Sequence, residues 1–337
     1  MAASGIGFLS LSYRTPRRAV SSEELEDRLG LGRGVIERLT GIRVRRHLGP
    51  GESITLLAAD ACREALAAAG DPALIDGLIY YSDTPPVLTD AEGHKKIYYD
   101  ISAHIQNLLV ASGVPLVCDC VGIAGSCVSF LLSLQMAAGM IRTGMKRRIL
   151  LVGAACNSLF LENADKNVAM TFGDGTAAAV LGEADGDGGL QGIFCRTDGR
   201  GYDAGGYPGY EALVIDRKRV AEFAPLGFEA GLRGLLDETG LSLDDFALII
   251  PHQAGIKIIE RGMALAGVPR EKVYLCLQDI GNTGAPAVHL ALARAVEEGR
   301  IADGDLVALA AFGTGWNYGA AAFRYRRSPA QPASGPR

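Results

Sequence analysis

The chain has 337 residues, 48% of them hydrophobic and 21% charged. That supplies the core of one large α/β unit or of two fused similar halves and argues against wholesale disorder. The formal net charge is −5; no basic face stands out, which argues against nucleic acid as a partner. The seven cysteines (Cys62, Cys118, Cys120, Cys127, Cys156, Cys195, Cys276) are an odd set with no CxxC pair. A disulfide framework and a zinc site are both disfavoured, and the expected setting is a reducing cytoplasm. No apolar run reaches the roughly 18–20 residues of a membrane span, and MAASGIGFLSLSYRTP lacks the charged start and long apolar stretch of a signal peptide. Two basic clusters, Arg43/Arg45/Arg46 and Lys146/Arg147/Arg148, read as solvated faces or as a landing place for an acidic partner.

In chain order, an apolar stripe over 54–69 (Ala58, Ala59, Cys62, Leu66) predicts an amphipathic helix. The runs 78–81, 115–120 and 149–154 read as strands of a sheet buried on both faces. The Pro-, Gly- and charge-rich stretch 83–100 reads as a long loop, a common place for lids and interface arms. Residues 128–143 are apolar nearly all round, which predicts a deeply buried helix. The second half repeats the plan, with strands at 246–250, 273–276 and 306–312 and a helix at 286–298. RILLVGAA followed by FGDGTAAAVLGEA corresponds to LVALAAFG followed by TGWNYGAAAFRYR, and this predicts an internal duplication. The junction is expected at 182–188. The units are 1–183 with the cysteine nucleophile, 184–327 with the histidine and asparagine, and a disordered Pro/Ser-rich tail at 328–337.

Three segments could carry chemistry. Cys127 in GSCVSF stands where a small-residue turn meets a helix; the helix terminus would favour a thiolate, or the residue is a buried structural cysteine. His252 in PHQAG ends an apolar strand, at the edge where α/β sheets bind ligands, or it is a hydrogen-bonded turn histidine. Asn282 in GNTG offers N–H donors to a carbonyl oxygen, or it is a simple turn residue. Under the duplication, the turns of Cys127 and Asn282 are equivalent and meet at a pseudo-twofold axis, with His252 arriving from the next strand. A nucleophile and two donors facing one carbonyl is the logic of acyl transfer through a thioester.

TGIR (residues 40–43), GSCVSF, FGDGTAAAV, PHQA, GNTGAP and GDLVALAAFGTGWNYGAA together resemble the ketoacyl-acyl-carrier-protein synthase III branch of the thiolase superfamily, over nearly the whole chain. The resemblance implies a thiolase fold, two pseudo-duplicated halves in a five-layered αβαβα arrangement. It implies acylation of Cys127, then decarboxylative condensation with a malonyl-type carrier-bound extender, with His252 and Asn282 stabilising the enolate. The oxyanion hole would use the Cys127 and Gly313 amides. Lys257 and Arg43 would serve the phosphopantetheine arm. Acyl carrier protein and coenzyme A thioesters are the implied substrates. The implied form is a cytoplasmic homodimer whose 83–100 loop caps the partner's acyl pocket. No cofactor or metal is implied.

The chain also departs from the family pattern. Cys120 in CVGI resembles the Cys-x-Gly-hydrophobic pattern better than Cys127 does, but choosing it would need about two extra helical turns before Val152. Gly122 stands where the family has an aspartate. Val35, Leu39 and Leu159 fall where it has a Trp/Arg adenine clamp and a further arginine, and Gly255 replaces an asparagine. These changes predict weak coenzyme A recognition and a specialised-metabolite role such as polyketide biosynthesis. The alternative is a non-condensing acyltransferase moving the acyl group from Cys127 to a hydroxyl, an amine or a second carrier.

Overall fold

A computed structural model describes residues 5–89, 95–184 and 186–327. The first half supplies strand β1 (Gly5–Arg14), helix α1 (Ile54–Ala69), strand β2 (Gly77–Tyr81), helix α2 (Ile101–Ala111), strand β3 (Asp119–Ile123), helix α3 (Ser129–Arg142), and strands β4 (Ile149–Cys156) and β5 (Asp174–Ala184). They form one sheet in the order β1-β5-β4-β2-β3. The second half supplies strand β6 (Gly189–Thr197), helix α4 (Arg217–Thr239), strand β7 (Leu248–Pro251), helices α5 (Ile256–Leu265) and α6 (Ala287–Glu297), and strands β8 (Leu306–Gly313) and β9 (Asn317–Arg324). Their sheet runs β6-β9-β8-β7.

The two sheets repeat one pattern. β2 and β4 pair parallel and β5 returns antiparallel; β7 and β8 pair parallel and β9 returns antiparallel. The last strand of the first sheet, β3, pairs parallel with β2. Its second-half counterpart shrinks to a single bridge between Ile249 and Val273. The expected strand at 273–276 is therefore absent. The chain turns at once into the short helix Leu277–Ile280, whose start is clamped by Gln253: its Oε1 accepts from the Cys276 and Leu277 amides.

Strand periodicity sets the layers, because successive side chains leave a strand on opposite faces. Ile149 and Leu151 face inward, to a core shared with Leu134, Leu290 and Leu309. Leu150 and Val152 face outward, against Ala58, Cys62 and Leu109 of α1 and α2. In the second sheet Val307 and Leu309 face inward, while Ala308 and Ala310 meet Phe228, Leu232 and Ile259 of α4 and α5. Each fully buried leucine here contributes about 1.5–3 kcal/mol. The layers are thus α1/α2, first sheet, α3/α6, second sheet, α4/α5: the expected αβαβα fold. Across the central layer the His289 ring of α6 stacks on Phe130 of α3, with centroids 4.3 Å apart, and its Nδ1 lies 2.7 Å from the Tyr81 hydroxyl.

Some local expectations change. The strand expected at 115–120 forms at Asp119–Ile123 instead. Helix α3 is not buried all round, since Met136 is 44% exposed. Arg45 is no surface cation: it is fully buried and donates to the Ser22 hydroxyl and the Met170 carbonyl, each at 3.0 Å. Within 83–100, Val87–Thr89 and Lys95–Ile97 pair as an antiparallel ribbon; positions 90–94 lie outside the described residues, as does the tail 328–337. Among the described residues no helix is long and apolar enough to cross a membrane.

Candidate active site

Cys127 lies in the single 3-10 turn Ser126–Val128 that leads into α3. Ser126 adopts φ 54°, a conformation rare for a non-glycine residue and common where strain serves a site. The turn is held from both sides. The Ser129 hydroxyl donates to the Ser126 carbonyl at 2.6 Å and accepts from the Gly125 amide at 2.8 Å. The Ser126 hydroxyl lies 2.8 Å from that of Thr314, in the other half. Gly313, ending β8, presses against the nucleophile: a Cβ there would fall 2.9 Å from the Cys127 amide nitrogen. The Cys127 and Gly313 backbones therefore adjoin.

His252 continues β7, its amide donating to the Ala310 carbonyl at 2.8 Å. Its ring sits edge-on to Phe312. Nδ1 is buried without a hydrogen-bond partner among the described residues. Burial pushes its pKa down to about 3, so the imidazole is neutral and can donate one N–H without bringing a charge.

Asn282 follows Gly281, whose φ of 75° is left-handed. The turn is sewn to the FGDG segment: the Asn282 amide donates to the Thr171 carbonyl at 3.0 Å, and the Gly173 amide to the Asn282 carbonyl at 2.9 Å. Asp174 anchors that segment by accepting from the Leu48 and Ser158 amides. The Asn282 Oδ1 accepts from the Gly284 amide at 2.9 Å. This fixes which end of the carboxamide is the acceptor, and the contact leaves its N–H donors unused.

Cys127, His252, Asn282 and Gly313 line one cavity of about 330 Å³, together with Leu39, Thr40, Gly255 and Lys257. A larger groove of about 500 Å³ beside α5 holds none of the three candidate side chains. Arg43 is not on the cavity wall; it is exposed and pairs with Asp279 at 3.0 Å. Cys120 sits on the edge strand β3 with its thiol pushed up to about 12, mainly by burial, and it does not line the cavity. Val35 and Leu159 are also off the wall.

The thiolate expected at Cys127 is reversed. Burial pushes the thiol well above its ordinary value, and the nearby Asp83 carboxylate pushes it further. The thiol donates to Asp83 Oδ2 at 3.6 Å. Asp83, the first residue of the stretch 83–100 that reads as a loop, therefore touches the site. Its one sequence signal is its position just beyond the apolar run 78–81, at the carboxyl end of a central strand.

Two family models match the chain: 3-oxoacyl-[acyl-carrier-protein] synthase III over residues 122–199 and its C-terminal domain over residues 236–325. The β-ketoacyl-[acyl-carrier-protein] synthase III of Sphingopyxis alaskensis is 36% identical, covering 92% of this chain and 95% of the relative. The chain belongs to the ketoacyl-acyl-carrier-protein synthase III family. It is thus an acyl-condensing transferase with a thiolase fold. Among solved structures, the synthase III of Aquifex aeolicus superposes with a TM-score of 0.85 at 26% identity, covering 95% of this chain and 100% of that one. The priming β-ketosynthase of the R1128 polyketide pathway superposes at 0.84 with 30% identity, covering 97% of this chain and 98% of that one. Synthase III membership accounts for FGDG, PHQA and GNTGAP falling around a single cavity.

Proposed function

We propose that Cys127 takes an acyl group from a thioester, and that the acyl-enzyme then condenses with a malonyl-type extender on a carrier protein, releasing carbon dioxide. The observation that carries this reading is the convergence of Cys127, His252 and Asn282 on one cavity. The sulfur attacks the thioester carbonyl while the Cys127 and Gly313 amides hold the developing oxyanion; removing one such donor typically costs about 3 kcal/mol. His252, neutral, and Asn282, with free N–H donors, then hydrogen-bond the extender's thioester carbonyl. They stabilise the enolate formed as carbon dioxide departs. The enolate carbon attacks the acyl carbon and the sulfur leaves. The retained carboxamide at Asn282 supports condensation over simple transfer.

Lys257 on the cavity wall supports delivery by a phosphopantetheine arm. The aliphatic Leu39 at the mouth and Val35 and Leu159 off the wall offer no stacking or cation–π clamp for adenine, so a carrier rather than coenzyme A is assigned as donor. A role in polyketide or related specialised metabolism is assigned on the same ground. The working form is assigned as a cytoplasmic homodimer; the exposed Val110 of α2 and Val117, two residues before the edge strand β3, support the dimer as apolar side chains it would cover.

The test is incubation with acyl-carrier and malonyl-carrier, reading carbon dioxide release and products by intact mass. Carbon dioxide and a β-ketoacyl-carrier support condensation. Acylation of Cys127 without carbon dioxide release supports the non-condensing acyltransferase instead. Acylation that survives Cys127→Ala refutes the assignment of the nucleophile.

A further inference from the structure

Asp83 is a partly buried residue one past the serine that follows β2. It reaches across the seam between the halves into the GNTG turn. A Cβ on Gly284 would stand 2.2 Å from its Oδ2, so the close approach requires glycine there. The carboxylate accepts from the Ala285 amide and from the Cys127 thiol at 3.6 Å. Its Oδ1 is buried and has no hydrogen-bond partner among the described residues. The titratable groups that face it are Tyr80, Cys127, Cys156 and Tyr207. No cation balances it among these.

A buried carboxylate with an idle oxygen and no counter-ion is costly, which makes it a ready proton acceptor. The neighbouring chemistry needs one. Cys127 holds its proton at neutral pH, and a thiol must lose that proton as its sulfur attacks a carbonyl. His252 is a poor acceptor, because burial resists its charging.

We propose that Asp83 is a further catalytic residue: its carboxylate takes the Cys127 proton as the sulfur attacks the thioester, holds it while the acyl group is on sulfur, and returns it when the sulfur leaves. This rests on the reading of Cys127 as the acylated nucleophile. In the first step the S–H bond breaks toward Asp83 and the sulfur–acyl bond forms. The donor's C–S bond breaks, and its thiolate takes a proton from water, releasing hydroxide to the solvent. In the second step the extender loses carbon dioxide and its enolate carbon bonds to the acyl carbon. The acyl–sulfur bond then breaks, and the departing Cys127 sulfur takes the Asp83 proton. Asp83 ends the cycle ionised as it began, and the charge that the extender's carboxylate brought leaves as the hydroxide formed in the first step, so charge and protons balance over the cycle. Burial that holds the carboxyl at about 6 suits both duties at neutral pH.

The experiment compares two reactions of the full chain and of Asp83→Asn between pH 5 and 9. One is single-turnover acylation of Cys127 by butyryl-N-acetylcysteamine, a thioester with no charge of its own, read by intact mass. The other is alkylation of Cys127 by iodoacetamide. In the wild-type chain the acylation rate rises with pH up to about pH 6 and then levels. Asp83→Asn lowers acylation at pH 7 at least about 100-fold and removes the rise near pH 6. Alkylation at pH 7 becomes faster, because the thiol has lost a neighbouring negative charge. Opposite movement of the two rates supports the proposal. Rates that fall together mean only structural support, rates that rise together mean only electrostatic suppression, and acylation within about threefold of wild type means no role; each overturns it. A wild-type chain acylated elsewhere or not at all overturns the Cys127 reading itself, a failure distinct from any seen only in the variant.

Discussion

Replacing Gly313 by alanine drives a methyl group into the turn that carries the nucleophile. The new Cβ would stand 2.8 Å from Ser126 Oγ, 2.9 Å from Cys127 N and 3.0 Å from Ser126 Cβ, whereas comfortable contacts begin near 3.5 Å. The turn and β8 must therefore separate by about half an ångström. Neither side yields easily. Ser126 is already at φ 54° and is tied to Thr314. Gly313 closes the β8–β9 ladder opposite Asn317. Overpacking of this kind costs about 1–3 kcal/mol in stability, and misplacing a reacting atom by about 1 Å can cost on the order of 100-fold in rate. The expected result is acylation of Cys127 slowed by about 10- to 100-fold, with a melting temperature a few degrees lower. Gly139→Ala is the control, since a Cβ there meets nothing within 4 Å and alanine favours the helix. Acylation by Gly313→Ala within about twofold of wild type, at an unchanged melting temperature, would refute the claim that these two backbones touch and share an oxyanion.

His252→Ala is expected to leave acylation of Cys127 intact and slow carbon dioxide release by about 10²–10⁴-fold. Because the wild-type imidazole stays neutral down to about pH 3, no loss of condensation between pH 5 and 8 should trace to its protonation. Asn282→Ala removes both the carbonyl-facing donors and the acceptor for the Gly284 amide, and carbon dioxide release should fall on the order of 10²–10³-fold. Arg45→Ala strands the Met170 carbonyl in the core, while the Ser22 hydroxyl keeps its bond to the Ile42 carbonyl, and should cost about 1–3 kcal/mol in denaturant unfolding. Stability should also carry a pH signature. Burial raises Asp83 and Asp174 to about 6 in the folded chain, against about 4 when unfolded. The folded state then binds more protons than the unfolded one between these values, so unfolding free energy falls as pH rises from about 4 to 6, by about 2–3 kcal/mol per group. Asp83→Asn should remove about half of that slope; an unchanged slope would show that Asp83 is not desolvated as described.

Side-chain periodicity made the layers legible. The stripe over 54–69 became α1 with the same bounds, and the wholly apolar 149–154 became a strand buried on both faces. The duplication pointed to two equivalent turns, and the cavity wall carries both Cys127 and Asn282. Periodicity failed where tertiary contacts decide. The run at 273–276 is apolar enough for a strand, but Gln253 seizes the Cys276 and Leu277 amides and a short helix starts there. Arg45 reads as one of a basic cluster, yet alternation along its short strand Val44–His47 turns it inward while Arg46 stays outside the core. Asp83 and the protonated state of Cys127 were illegible for a related reason. Their properties come from proximity across 44 positions of chain and from burial, which no local pattern records.

The sulfur belongs to the half whose strands end at Ala184, and the imidazole to the half that begins its sheet at Gly189. Severing the backbone in that short connection would yield two fragments, each with a hydrogen-bonded sheet and neither with a complete reaction centre. Such fragments should be inert apart and regain turnover on mixing, because the chemistry is a property of the contact between them rather than of either piece.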